Sequence, residues 1–171
     1  KVSHTLRSIF SIAIFVMALA GGMVAGLRAG SAYNTFPLMN GYLVPPEILM
    51  LEPWWRNFLY NMATVQFVHR AIAWVLIAWV PWFWWRTLSS PLDSRQRLAC
   101  HLLLAVLVLQ VALGIATLVL KVPVTLAAAH QAGAVLLLGV SLLVASELRS
   151  PRAPAPSREA PSNAATARRA A

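Results

Sequence analysis

Four long apolar stretches, residues 9–27, 58–85, 98–120 and 124–144, are set apart by segments of more polar or mixed character along the chain. Each reaches the roughly 20 residues that an α-helix needs to cross the hydrocarbon of a bilayer. Helix is the workable conformation, because a lone strand leaves its backbone groups unpaired in lipid and four strands cannot close a barrel. The pattern predicts an all-α fold, a polytopic membrane four-helix bundle over residues 1–148. The remainder, 149–171, is rich in Ala, Pro, Ser and Arg without apolar periodicity, so a disordered basic tail is expected there.

Composition agrees with that pattern. The chain is 59% hydrophobic and 11% charged, more apolar surface than a water-soluble domain of this size can hide. Its formal charge of +9 would suit nucleic acid only if the basic residues formed a stripe with interleaved aromatics. They gather at segment ends instead, which argues for a lipid partner and against a nucleic-acid one. Lys1, Arg7, Arg86, Arg95, Arg97, Arg149 and Arg152 fall on one side, against Arg28, Arg56, Arg70 and Lys121 on the other. The positive-inside rule then puts both termini in the cytoplasm, or the equivalent matrix, of an inner membrane. Trp79, Trp82, Trp84 and Trp85 close one end of the second stretch and Trp54 and Trp55 precede the other, as interfacial anchors do. Cys100 has no partner in the chain and reads as a small buried hydrophobe. The sequence opens on Lys1 with no short apolar region and cleavage site, so the expectation is a chain that begins inside a longer protein.

The long connection, 31–57, faces outward in this topology and mixes apolar with turn-forming residues, including Pro45-Pro46. It is expected to pack down on the end of the bundle. Candidate chemistry lies beneath it. His69 and His130 sit in separate apolar stretches, each about two turns in from the outer end, roughly 10 Å at 1.5 Å per residue. An imidazole in hydrocarbon is a functional-site hypothesis by default, and two at one depth suggest a shared ligand. A haem in the outer half of the bundle suits them, since two neutral imidazoles on facing helices bind iron axially. Both histidines are the metal ligands of this reading. Zinc is disfavoured for want of third and fourth ligands; hydrogen bonding between helices is the plainer alternative. Arg28, Arg70 and Lys121 lie at the level where propionates would emerge, with Arg70 and Arg28 the cofactor-binding choices. Gly22, Gly26 and Gly30, with Gly21 beside them, and Gly114 read as close helix packing. His4 and His101 lie at the inner ends, where interfacial solvation accounts for them.

The chain resembles the C-terminal half of haem A synthases of the alphaproteobacterial and mitochondrial type. The matching segments are 21–30 (GGMVAGLRAG), 33–39 (YNTFPLM), Asn57-Phe58, Asn61, 65–70 (VQFVHR), Gln110, 113–118 (LGIATL), Val122-Pro123 and 126–131 (LAAAHQ). The resemblance implies an eight-helix oxidoreductase of two similar halves, converting haem O to haem A by oxidising a ring methyl to a formyl group. It implies that this half holds a haem B through its two histidines and transfers electrons, while an N-terminal half absent here receives the haem O substrate. That other half carries a Glu three residues before its own histidine; Gln66 stands at the equivalent place, so no catalytic residue is assigned here and the chain alone is expected to be inactive. Tyr60 departs from a Glu common in the family before the Asn matched by Asn61, and the outer loop lacks a cysteine pair found in some bacterial members.

Two other readings remain: a free-standing b-type membrane cytochrome, and a haem-free membrane assembly factor whose histidines are packing groups. An electron-transfer partner is expected in the first two readings, and pairing of the chain with itself, as a homo-oligomer, is left open.

Overall fold

The computed structural model describes residues 4–149 and is helical throughout its membrane-crossing part. Four helices are long and apolar enough to span a bilayer: α1 (His4–Gly26), α4 (Met62–Leu88), α5 (Ser94–Val119) and α6 (Val124–Glu147). Two single turns, α2 (Ala29–Ala32) and α3 (Asn57–Tyr60), flank the long loop. The protein is a multi-pass membrane protein. All but Arg149 of the expected tail lies outside the described residues, as do Lys1 and Arg152.

Helix ends depart from the apolar boundaries for local chemical reasons. The first stretch, expected over 9–27, stops at Gly26 because Arg28 turns left-handed (φ 52°) and α2 restarts beyond it. The second, expected over 58–85, breaks at Asn61, whose extended backbone (φ −95°, ψ 111°) leaves 57–60 as a separate turn. Asn61 then caps α4, its side-chain oxygen accepting from the backbone N–H groups of Ala63 (2.9 Å) and Thr64 (3.1 Å). α4 continues through Pro81, which withdraws one backbone donor. α5 begins at Ser94 rather than 98, because Asp93 and Gln96 form a reciprocal capping box. Polar residues can therefore extend a helix beyond its apolar run where they satisfy its ends.

α1 and α5 each pack against both α4 and α6, so the four spans close a ring in which α4 and α6 occupy one diagonal. The packed core belongs to the half of the bundle away from the long loop. Phe10 and Ile14 of α1, Leu76, Val80 and Phe83 of α4, Leu103 and Leu107 of α5 and Leu137 and Val144 of α6 interlock there. Phe10 stacks on Phe83 (5.1 Å) and meets Trp79 edge-on (5.4 Å). Between helices in lipid such packing works through close contact rather than escape from water. Cys100 is fully buried in this core. Of the tryptophans expected as anchors, Trp82 and Trp85 are exposed, whereas Trp84 turns inward and donates to Nδ1 of His101 (3.1 Å). His101 thus has a protein partner, not solvation alone.

The loop packs down on the bundle through side-chain bonds to its backbone. Asn57, fully buried, donates to the carbonyls of Leu51 and Trp54 and accepts from Leu51 N–H. Asn61 donates to Glu47 O, and Thr64 accepts from Leu49 N–H.

Candidate cofactor site

The half of the bundle beneath the loop is built differently from the packed half. Its buried side chains include Thr64, Gln66, Gln110 and Thr117, and it contains both sequence-singled histidines. His69 lies in α4 seven residues after Met62, and His130 in α6 six residues after Val124. At 1.5 Å per residue both are about 10 Å below the loop end. Their helices form the diagonal of the ring.

Each imidazole leans on a glycine of a neighbouring helix. A β-carbon on Gly21 of α1 would stand 3.2 Å from His69 Cε1; one on Gly114 of α5 would stand 2.8 Å from His130 Cε1. Gly21 and Gly114 are each five residues before the last residue of their helix, Gly26 and Val119. The two seats therefore share a depth, like the rings they receive. Sequence reasoning treated these glycines as helix-packing positions and missed that role. The close packing expected along Gly22 and Gly26 is not found within the chain: both are exposed, with nothing near an added β-carbon. Gly30 does pack closely, against Val122.

Nδ1 of His69 and Nδ1 of His130 are buried without a hydrogen-bond partner among the described residues. Buried polar atoms are ordinarily paired, so two orphans at matched positions mark where the protein alone does not complete its own chemistry. Against the plainer alternative of hydrogen bonding between helices, neither Nδ1 has a hydrogen-bond partner among the described residues. No group of three or more His, Cys, Asp or Glu residues placed to hold a metal occurs among them either. The donor set, two imidazoles on diagonal helices with a glycine beside each, fits a flat macrocycle that two imidazoles would hold.

Arg70, adjacent to His69, is half-buried and spread over the loop backbone. One terminal nitrogen donates to the carbonyls of Tyr33 (3.1 Å) and Thr35 (2.9 Å), the other to those of Pro37 and Leu38 (both 3.3 Å). Gln66, one turn earlier, donates to the same Tyr33 carbonyl (2.8 Å). The residue expected at a propionate is thus also the clasp of the loop over the site. No carboxylate pairs with its charge among the described residues. Arg28 is exposed at the same end of the bundle, its side chain unbonded among the described residues. Lys121 is also exposed there, in a left-handed backbone (φ 62°). Tyr33 donates to Glu47 (3.0 Å) beside a cavity of about 320 Å³ also lined by Asn40, Tyr42 and Asn61.

A family model described as COX15-CtaA, cytochrome oxidase assembly protein, matches residues 3–142. The Heme A synthase of Nitrosospira multiformis is 59% identical over 142 residues, covering 83% of this chain and 40% of that protein. The Heme A synthase of Nitrosomonas eutropha is 59% identical over 135 residues, 79% of this chain and 38% of its own length. The yeast protein Heme A synthase COX15 (Saccharomyces cerevisiae) is 40% identical over 153 residues, 82% of this chain and 32% of that one. The chain thus spans 40% or less of each of these relatives. No solved structure matches it.

Proposed function

Because the chain belongs to the COX15-CtaA family of cytochrome oxidase assembly proteins, we propose that it is the haem-B-holding, electron-transfer half of a haem A synthase. In this reading residues 1–148 form the haem-binding domain, and an N-terminal half of the same enzyme receives haem O. The observation that carries it is the pair of buried, unpartnered imidazole nitrogens on diagonal helices, each ring seated on a glycine at one depth.

His69 and His130 would hold the group, which would supply one-electron transfer rather than oxygen activation when bound by two imidazoles. The protein's part is to fix and enclose. Gly21 and Gly114 admit the rings, and the packed half of the bundle closes one side of the site. Gln66 and Arg70 fasten the loop across the other by the Tyr33 carbonyl. Arg28 and Arg70 provide positive charge at the loop end, where carboxylates of a bound cofactor would be paired. Gln66 cannot exchange a proton as a carboxylate would, which supports assigning oxidation of the methyl group to the other half.

The asymmetry of basic residues supports placing both termini on the cytoplasmic or matrix side of an inner membrane, with the loop opposite. The test of the enzymatic reading is conversion of haem O, followed by mass spectrometry of extracted haem. The chain expressed alone is expected to yield no formyl product, and co-expression with the remaining portion of a relative is expected to yield it. Formyl product from the chain alone would overturn the division of labour.

A further inference from the structure

We infer that Gln110 is the positioning residue for His130, holding α6 at the angle about its own axis that aims the imidazole into the bundle. The inference rests on His130 being a haem ligand, and adds how its orientation is set.

Gln110 is nearly buried in α5, one turn before Gly114, the glycine against which the His130 ring lies. Its Nε2 donates to the backbone carbonyl of His130 itself (2.8 Å). That carbonyl belongs to the helical ladder of α6, and its second lone pair is free to accept a side-chain donor. The bond therefore fastens the backbone of the same residue whose ring is the ligand. The other end of the carboxamide is held by shape. A β-carbon on Gly133, one turn beyond His130, would collide with Gln110 Oε1, so glycine is what lets the amide lie flat on α6. Oε1 is buried and otherwise unpartnered, and such an atom in an apolar surrounding costs stability unless it secures something else. A leucine at 110 would pack the same helices without leaving an acceptor unmatched. Bonding at His130 O, a required glycine at 133 and ring contact at Gly114 thus converge on one helix-to-helix latch around the ligand.

The full chain is purified from membranes with its haem B, and low-spin electron paramagnetic resonance g values and midpoint potential are recorded for Gln110→Met, Gly133→Ala and the double variant. Met keeps the length and apolar bulk of glutamine but not its donor. Gly133→Ala attacks the latch from the opposite helix, so it decides the matter if the first variant does not fold. Each single variant is expected to retain haem while shifting the g values, and the double variant to shift no further than the larger single one, as coupled neighbours do. Unchanged g values in both single variants, or fully additive shifts, would overturn the latch while leaving the haem reading intact. Absence of a low-spin signal from the unaltered chain would overturn both.

Discussion

The Cε1 atom of His130 lies 2.8 Å from the point that a β-carbon on Gly114 would occupy, closer than such atoms approach in proteins. The corresponding separation for His69 and Gly21 is 3.2 Å. Alanine at either position therefore pushes on a ring, and harder at 114. Gly114→Ala is expected to displace the His130 imidazole at an overpacking cost of about 1–3 kcal/mol, with a lower share of low-spin haem. Gly21→Ala is expected to be milder, since a movement of a few tenths of an ångström suffices. Optical and magnetic spectra of the two purified variants check the order; a larger loss from Gly21→Ala would contradict the seating geometry.

Arg70 spans four backbone carbonyls of the loop with its two terminal nitrogens. Arg70→Ala removes the clasp, a penalty on the order of 2 kcal/mol or more for bonds to a charged group. Faster proteolysis within 31–57 and weaker haem retention are the expected outcomes. Arg70→Lys should not restore either, because a point charge cannot reach two carbonyl pairs as a planar fork does. Full recovery by lysine would show that charge alone is what the site uses.

Tyr33 is held above the ordinary phenol range, first by burial and then by its bond to, and the negative charge of, Glu47. A folded-state value above the unfolded one means that this contribution to stability is complete below about pH 10. It is lost as pH rises through the raised value. Ultraviolet titration of the chain and of Tyr33→Phe identifies the phenol concerned. Glu47→Gln should lower its titration point without returning it fully to normal, because burial is the leading cause. A Tyr33 titration at or below the ordinary value would contradict the loop arrangement.

The four spans and the depth of both histidines were legible from the apolar pattern, because hydrocarbon thickness sets helix length and a polar residue within a span declares itself. The ring seats were not. Gly21 and Gly114 look like any small residue in a membrane helix, and only the pairing of α1 with α4 and of α5 with α6 reveals what each admits. Their equal distance from the helix ends, matching the depth of the histidines, was the available signal. The roles of Asn57, Asn61 and Arg70 were equally hidden, since their partners are backbone groups of a loop whose path composition does not specify. Exposure of Gly22 and Gly26 likewise depends on which side of α1 the neighbouring helices choose.

Orientation is checked by single cysteines placed in the loop and near Arg149 after replacement of Cys100. Membrane-impermeant reagent is expected to reach the loop site from outside and the Arg149 site only after the inner face is opened. The reverse pattern would invert the bundle.

The most direct measurement is the low-temperature spectrum of haem in the purified chain and in His69→Ala and His130→Ala. The unaltered chain is expected to carry one low-spin, bis-imidazole haem B, and each variant to lose the low-spin signal while its helical circular dichroism persists. A low-spin signal retained in both single variants would contradict axial ligation by His69 and His130.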